Sequence, residues 1–379
     1  MRSCGIVVEY NPFHNGHKYH AQKARELSGA DVVVAVMSGN FLQRGEPAIV
    51  DKWSRAQAAL ENGVDLVVEL PFAWAVQSAD YFAKGSIKLL QALKCDALCF
   101  GTDGGESFDY ADYGRFFIEE KSAIDQLFHE LPIGWSYPEK MAEAVSRLYP
   151  GTQAFPPNHI LGLSYAKENA TYERPMDIYP LVRKDQGYHD EALIKDQFAS
   201  ATGIRQAVFK NQSISSFVPK QTAMELAETQ ISWEDFWPYL NYQLRALPLE
   251  RMQGIYQMAE GLEHRLVTTN ANDFAEYIDL ISTKRYTKPR LQRLLTYLLL
   301  QVSLLEIKTE QEQTMLHILG FTEKGQHYLN QKKKQFALPV AAKIGQKEKE
   351  QHFLTYRADQ IYQLVHPREQ TIGRFPIRL

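Results

Sequence analysis

The first 110 residues alternate between short apolar runs and amphipathic segments, and this alternation permits few folds. The apolar runs are continuous in Val, Ile and Leu, which is typical of strands covered on both faces. Helical segments separate them, so the connections should be right-handed crossovers between parallel strands. The predicted strands are Ile6–Glu9, Asp31–Met37, Asp65–Leu70 and Ala97–Phe100, and the predicted helices are Gly16–Ser28, Lys52–Glu61 and Ala79–Leu93. We therefore predict a Rossmann-like, doubly wound parallel sheet of the α/β class, with ligands bound at the carboxyl ends of its strands.

The rest of the chain is predicted to be mostly helical. One more strand is predicted at Met176–Arg183, and beyond residue 210 the pattern indicates helices alone. These predicted helices are Ser232–Arg245, Asp273–Ile281, Lys288–Ile307 and Thr309–Leu319. We therefore predict an α/β domain at residues 1–210, followed by a mostly α-helical domain at residues 211–379.

Composition argues against membrane and secreted classes. No run of 18 or more apolar residues occurs, so no transmembrane helix is expected. The N-terminal sequence MRSCGIVVEYNP lacks the apolar stretch of a secretory signal. Cys4, Cys95 and Cys99 are an odd number in strand-like surroundings, which argues against a disulfide framework or a zinc knuckle. We expect a cytoplasmic protein.

Charge is distributed unevenly along the chain. Residues 281–379 contain 17 Lys and Arg against 8 Asp and Glu, a net charge of +9. Because the whole chain carries −3, the preceding 280 residues carry −12. A basic C-terminal part after an acidic N-terminal part is expected if the basic part binds a polyanion. A merely uneven distribution of surface charge would give the same net charges.

The stretch EYNPFHNGH, at residues 9–17, lies where the first strand turns into the first helix. Its two histidines, His14 and His17, are candidates for metal ligands, for an acid–base pair or for phosphate contacts. A metal would need more ligands; His20 offers one, but no Cys or carboxylate partner follows. Free backbone N–H groups and the helix dipole at a helix N-terminus attract anions, so phosphate contact is favoured. Gly16 would let a phosphate or base approach the backbone closely.

With a second motif, this stretch resembles the H-x-G-H nucleotidylyltransferase superfamily, whose Rossmann-like fold is shared with class I aminoacyl-tRNA synthetases. In that superfamily a motif I-S-x-T-x-x-R closes over the nucleotide phosphates. Residues 199–205, ASATGIR, are similar to it at Ser200, Thr202 and Arg205, with Ala199 in place of the leading Ile.

The chain also resembles the bacterial tRNA(Met) cytidine acetate ligase family over nearly its whole length. The similar stretches include GIVVEYNPFHNGHKYH, MSGNFLQRGEPAIVDKWSRAQAALENGVDLVVELPF, FGTD, PPNHILGLSY, GYHD and KRYTKPRLQRLL. The resemblance implies an ATP-dependent ligase that activates acetate as acetyl-adenylate. The acetyl group would then pass to the wobble cytidine of elongator tRNA(Met) and form N4-acetylcytidine.

The resemblance also implies site residues. Catalytic roles fall to His14 and His17, and Mg²⁺ is expected between phosphate oxygens, with metal ligands unknown. The ATP-binding residues implied are Val7, Val8, Glu9, Tyr10, Asn11, Pro12, Phe13, His14, Asn15, Gly16, His17, Lys18, Tyr19, His20, Gly101, Asn158, Arg183, Ser200, Thr202 and Arg205. Gly101 could equally be a turn, Asn158 a helix N-cap and Arg183 a surface charge.

Cations and aromatic residues are mixed in the helical part, as expected of a surface that grips a nucleic-acid backbone and stacks bases. The predicted tRNA-binding residues are Lys284, Arg285, Lys288, Arg290, Arg293, Lys332, Lys333 and Lys334. By itself, a run of three lysines is usually a solvated helix end, and Arg290 and Arg293 could simply flank the buried side of their helix. The charge asymmetry and the family resemblance together favour tRNA binding. Gln43, Arg44 and Lys52 to Arg55 lie in or after the loop that follows the second strand. They could close over the substrate or meet the tRNA anticodon, or be a solvated loop and a helix cap.

Two other functions stay open at this point. A small-molecule adenylyl- or cytidylyltransferase of cofactor biosynthesis would use the same two motifs without a basic helical end. A non-catalytic tRNA binder would have no need of His14, His17, Ser200, Thr202 and Arg205 together.

Overall fold

A mixed, mostly parallel sheet organises the protein, as seen in a computed structural model that describes residues 1–103, 108–135, 137–149, 157–182, 199–370 and 373–379. The strands run in the order β5-β4-β1-β2-β3-β6-β7, and β8 pairs with β6. Only the β3–β6 pairing is antiparallel among the described strands. The strands are β1 (Ser3–Val8), β2 (Val32–Ser38), β3 (Leu66–Leu70), β4 (Ala97–Thr102), β5 (Asp177–Val182), β6 (Leu316–Phe321), β7 (Val340–Ala341) and β8 (Ile377–Arg378). The predicted α/β class is confirmed.

Helices cover both faces of this sheet and form most of the rest of the chain. In order they are α1 (Asn15–Ser28), α2 (Lys52–Glu61), α3 (Phe72–Ala75), α4 (Ala79–Ala92), α5 (Tyr110–Glu119), α6 (Lys121–Glu130), α7 (Tyr137–Leu148), α8 (Pro157–Asn169), α9 (Ala201–Phe209), α10 (Lys220–Glu228), α11 (Trp233–Ala246), α12 (Leu249–Gln253), α13 (Leu262–Thr268), α14 (Phe274–Ile281), α15 (Lys288–Leu299), α16 (Leu304–Glu312), α17 (Glu323–Lys332), α18 (Gln346–Gln351) and α19 (Phe353–Tyr362). No described helix is long and apolar enough to cross a bilayer.

The strand order reverses between β1 and β4. From β1 the chain moves to β2 and β3 on one side, and later to β4 and β5 on the other. The carboxyl ends of β1 and β4 therefore flank a crevice, where ligands bind in open α/β sheets. The HNGH turn follows β1 directly, and Gly101 lies near the end of β4.

Three large apolar clusters hold this arrangement together. One face of the sheet packs against α4 and α8, and the other face packs against α1 and α2. A third cluster joins α11, α14, α15 and α19 in the helical part. Cys4, Cys95 and Cys99 are buried and free.

The prediction of helices alone beyond residue 210 was wrong. The predicted helix Thr309–Leu319 is instead the end of α16 followed by β6, which pairs with β3. The predicted helix Lys288–Ile307 is divided into α15 and α16 at residues 300–303. The run LHILG is buried, and a short apolar run of this kind fits a covered strand or a helix equally well. The two-domain division at residue 210 stays a prediction, and three strands from beyond that residue join the sheet.

A buried ion network, which we call the Lys52 network, joins α2, β3, β6 and α19. Lys52 is fully buried, and its Nζ lies 2.7 Å from a carboxylate oxygen of Glu69 and 2.6 Å from one of Asp359. Nδ1 of His317 lies 2.6 Å from the second Glu69 oxygen, and Asn40 donates to Asp359 at 2.9 Å. Burial opposes the charge on Lys52, but the two carboxylates outweigh it and raise the pKa of its ammonium group. The network therefore keeps its charges in the folded protein.

Removing the central cation should destabilise the fold strongly. We expect Lys52→Met to lower the free energy of unfolding by about 3–5 kcal/mol, because it leaves two buried carboxylates without their counter-ion. Urea denaturation followed by circular dichroism measures the loss. As a control, Lys23→Met removes a surface partner of Glu26 and should leave stability nearly unchanged. Equal stability of the two variants would contradict the importance of the network.

Candidate active site

The HNGH turn forms an interlocked cap on α1. Nδ1 of His14 accepts the backbone N–H of Gly16 at 3.0 Å, and the N–H of His14 donates to Nδ1 of His17 at 3.2 Å. The two rings stack, with centroids 3.6 Å apart and an interplanar angle of 24°. Because each Nδ1 is an acceptor, the hydrogen-bond pattern assigns the proton of each neutral ring to Nε2. The turn therefore holds two N–H donors close together at the start of a helix, suited to an anion.

The predicted free N–H groups at this helix end are already engaged. The N–H of Asn15 donates to the carbonyl of Phe217 at 2.9 Å, and that of Gly16 donates to His14. The N–H of His17 donates to the carbonyl of His14. The expectation of a backbone anion site was therefore wrong in this respect, because the capping box and a distant loop satisfy these donors. The imidazoles and the dipole are left as the anion-binding elements.

Several other residues of the segment Val7–His20 pack in the core beneath the turn. The side chains of Val8, Tyr10 and Phe13 are buried in the core, and the Tyr10 ring meets the His17 ring edge-on at 4.8 Å. His20 lies against Cys99 of β4, and burial lowers its pKa to about 4. Because His20 faces the sheet as a neutral ring, it does not join His17 in a metal site.

The ASATGIR segment meets the HNGH turn directly. Ser200 caps α9 by accepting the N–H of Gly203 at 3.0 Å. Arg205, one turn into that helix, donates from Nη1 to the carbonyl of Asn11 at 2.8 Å. Its Nη2 lies 3.5 Å from Oε2 of Glu46 and 3.4 Å from the Thr202 hydroxyl. The two motifs, 194 residues apart at this contact, therefore form one site.

The end of β4 forms another side of the candidate active site. Gly101 pairs with Leu181 of β5, and just beyond it Asp103 accepts a hydrogen bond from the Asn158 amide at 2.7 Å. Asn158 lies inside α8, which begins at Pro157, so it is not the N-cap of that helix. Sequence reasoning missed Asp103, although it stands in the FGTD stretch. It also missed His159, which hydrogen-bonds the Tyr110 hydroxyl at 2.7 Å and follows Asn158 directly.

Some predicted residues lie outside the described part of the chain. Arg183 and the GYHD stretch fall within residues 183–198, and their roles stay predictions. Among the described residues, no three His, Cys, Asp or Glu side chains are arranged to hold a metal ion. A Mg²⁺ ion that enters with a nucleotide would rest mainly on phosphate oxygens and water, as this ion commonly does.

The loop after β2 connects this site to the helical part. Gly45 has a φ of +83°, and a Cβ placed there would lie 2.4 Å from the backbone nitrogen of Arg293 in α15. The Thr296 hydroxyl donates to the Gly45 carbonyl at 2.7 Å. Two residues earlier, the N–H of Gln43 donates to the Glu9 carboxylate at 2.7 Å. This loop therefore touches both the end of β1 and α15.

The predicted tRNA-binding residues divide into two places. Near the loop after β2, the guanidinium groups of Arg285 and Arg290 lie 5.4 and 4.8 Å from the Tyr286 ring centroid. Lys284 is exposed nearby, and Lys288 pairs with Asp279. Arg293 follows on the same helix and meets the loop at Gly45. Through Arg293, α15 therefore lies beside the loop at the carboxyl end of β2.

The lysine run at 332–334 lies at the other edge of the sheet. It closes α17, whose Tyr328 hydroxyl donates to the carbonyl of Leu93 at 2.7 Å. The N–H of Ala337, just after the run, donates to the carbonyl of Ala92 at 3.1 Å. Both contacts lie where α4 ends and β4 is about to begin, at the amino-terminal ends of the parallel strands. Lys332, Lys333 and Lys334 are therefore not part of the same patch as Arg290 and Arg293.

Comparisons with known proteins agree with this geometry. The family model described as HIGH Nucleotidyl Transferase matches residues 1–374. A tRNA(Met) cytidine acetate ligase of Limosilactobacillus reuteri is 40% identical over 100% of this chain and 99% of its own. The Bacillus subtilis protein of the same name is 39% identical over 96% of this chain and 92% of its own.

Solved structures agree as well. A crystal structure of Thermotoga maritima TmcAL in its apo form superposes with a TM-score of 0.90 at 28% identity, with both chains fully covered. A second crystal form of that protein, bound with alpha-thio ATP, gives a TM-score of 0.87 over the same coverage. At this identity and coverage the likeness extends over the whole architecture.

The close packing of the loop on α15 can be tested at Gly45. Gly29 is a matched control, because its φ is +63° but no atom lies within 4 Å of a Cβ placed there. We expect Gly29→Ala to cost about 1–2 kcal/mol of stability for backbone strain alone. Gly45→Ala should cost a further ~1–3 kcal/mol, because the α15 backbone must shift. Equal losses in urea denaturation would contradict the contact.

Proposed function

The chain belongs to the HIGH nucleotidyl transferase family and, within it, to the tRNA(Met) cytidine acetate ligases, and we propose that it is an ATP-dependent ligase with that activity. In the proposed reaction, acetate and ATP give acetyl-adenylate and pyrophosphate. The acetyl group then passes to the wobble cytidine of elongator tRNA(Met), which yields N4-acetylcytidine and AMP. The observation that carries the proposal is the hydrogen bond from Arg205 to the Asn11 carbonyl, because it joins both nucleotide motifs in one site.

In the first step, an acetate oxygen attacks the α-phosphate while the bond to pyrophosphate breaks. The acid needs no covalent help from the protein, so positioning and electrostatic stabilisation supply the catalysis. His14 and His17, with protons on Nε2, would donate to the oxygens that gain charge. Ser200, Thr202 and Arg205 would bind the leaving phosphates, and Mg²⁺, when bound, would neutralise part of their charge.

In the second step, the cytidine amino group attacks the acetyl carbonyl and AMP leaves. This step needs the anticodon close to the same site. Arg293, on the same helix as Arg290, contacts the loop at the carboxyl end of β2, close to where the adenylate would form. Arg290 and Tyr286 offer the mixture of charge and stacking surface that single-stranded RNA binds.

The direct test is chemical. The protein is incubated with ATP, Mg²⁺, labelled acetate and unmodified elongator tRNA(Met), and the RNA is digested to nucleosides. Label in N4-acetylcytidine that depends on both ATP and acetate supports the proposal. Pyrophosphate release with another acid or phosphate ester, without label in RNA, would favour a small-molecule nucleotidylyltransferase.

His17 should be essential for the first step. We expect His17→Ala to reduce acetate-dependent ATP–pyrophosphate exchange by about 10²–10³-fold, because an oxyanion donor is lost, while tRNA binding is retained. His327→Ala, which removes an exposed imidazole of α17, is the control and should exchange normally. Full exchange activity in His17→Ala would show that the HNGH turn has another role.

The two groups of predicted tRNA-binding cations can be compared directly. Reversing the charge of Lys332, Lys333 and Lys334 should weaken tRNA binding and reduce its dependence on salt, because phosphate contacts are lost. Replacing Arg290 and Arg293 with Ala should weaken binding and also slow acetyl transfer, since these residues lie beside the site. Filter binding at several salt concentrations and single-turnover transfer measure the two effects. Unchanged binding in either variant would remove that group from the tRNA interface.

A further inference from the structure

Glu9 occupies a distinctive position, at the end of β1 and next to the HNGH turn. One carboxylate oxygen accepts the N–H of Gln43 at 2.7 Å and lies 3.5 Å from the Ser38 hydroxyl. Gln43 is itself fixed, because its side-chain amide donates to the carbonyl of Gln77 at 2.6 Å. The side chain of Glu9 is therefore fixed at the carboxyl ends of the parallel strands, next to the loop after β2.

The charged and titratable groups around Glu9 come from three elements. Burial raises the pKa of its carboxyl, and the nearby Glu46 raises it further, while the Gln43 N–H, Arg44 and Arg55 act in the opposite direction. On the side of α8, the Glu9 charge adds to the burial that raises the pKa of Tyr165. A carboxyl whose pKa is shifted toward neutrality is a better proton acceptor than an ordinary surface carboxylate.

Arg44 acts electrostatically both on Glu9 and on a cation of α15, Arg293. Burial lowers the pKa of the Arg293 guanidinium, and Arg290 and Arg44 lower it further. Nε of Arg293 is buried and has no hydrogen-bond partner, and no carboxylate pairs with Arg290 or Arg293 among the described residues. Neighbouring guanidinium groups without a counter-ion are suited to a phosphate. The residue that follows Arg44 in its loop, Gly45, also packs against the Arg293 backbone.

Acetyl transfer requires a base at this place. As the new C–N bond forms, the bond from the acetyl carbon to the phosphate oxygen breaks, AMP leaves with its electron pair, and the amino nitrogen loses a proton. His14 and His17 are unsuited to accept it, because each Nδ1 already accepts a backbone N–H and Nε2 carries the ring proton. Other described carboxylates at this edge are engaged: Asp103 by Asn158, Glu46 by Arg205 and Glu69 by Lys52.

We propose that Glu9 is the general base of acetyl transfer. Its carboxylate accepts the proton from the attacking amino group of the target cytidine. Arg290 and Arg293 bind a phosphate of the same RNA segment and so direct the base towards Glu9. This role rests on the proposed function, and it concerns only the second of the two steps.

The test separates the two steps in the full-length protein. Glu9→Gln keeps an oxygen that can accept the Gln43 N–H but removes the base. We expect single-turnover transfer to tRNA(Met) to slow by about 10²–10³-fold, far more than any loss of acetate-dependent ATP–pyrophosphate exchange. Glu61→Gln, which changes an exposed carboxylate at the end of α2, is the matched control and should carry out both steps normally.

The pH profile distinguishes a base from a residue that only supports the site. Wild-type transfer should rise with pH as the Glu9 carboxyl loses its proton, whereas Glu9→Gln should give a flat, slow profile over the same range. Glu9→Asp keeps the carboxyl on a shorter side chain and should retain the sloping profile at a reduced rate. Thermal unfolding checks that all variants fold.

The contrary outcomes are distinct from one another. Equal losses of exchange and transfer in Glu9→Gln would assign Glu9 to the ATP site as a whole, and an unchanged transfer rate would exclude it as the base. Either result, with an active wild type, overturns this role alone. If wild type forms no N4-acetylcytidine at all, the proposed function fails and the role fails with it.

Discussion

The buried charge of Lys52 is the constraint on which the functional architecture depends. A lysine buried away from solvent requires fixed counter-ions. Here they are Glu69 of β3 and Asp359 of α19. Asn40, near the start of the loop after β2, accepts the backbone N–H of Lys52 and donates to Asp359. The first residues of that loop are therefore fixed to both the sheet and the C-terminal helices.

The consequence is a site assembled from segments far apart in sequence. The loop after β2 positions Gln43 against Glu9 and Gly45 against α15. On the other side, Arg205 ties α9 to the HNGH turn. The two steps of the proposed reaction can therefore share one crevice at the carboxyl ends of the strands. An activated acyl group that stays in one place is less exposed to water than one that must be released.

The local patterns of the first 110 residues predicted their strands and helices well, because continuous apolar runs and helical amphipathicity are encoded within each segment. β6 was missed because its strand state depends on pairing with β3, about 250 residues earlier in the chain. The two motifs predicted that His17 and Arg205 would converge. They did not predict that Phe217 engages the first N–H of α1, or that Lys332–Lys334 and Arg293 lie at opposite edges of the sheet, since both depend on packing between distant segments.

In the proposed reaction a single site activates acetate as an adenylate before transfer, and the fate of one oxygen atom shows whether it does so. With acetate labelled by ¹⁸O in both carboxylate oxygens, attack on the α-phosphate moves one labelled oxygen into AMP when the acetyl group leaves. We expect mass spectrometry of the AMP to show one ¹⁸O for each N4-acetylcytidine formed. Unlabelled AMP, or ADP and phosphate as products, would contradict an acetyl-adenylate and require another route of activation.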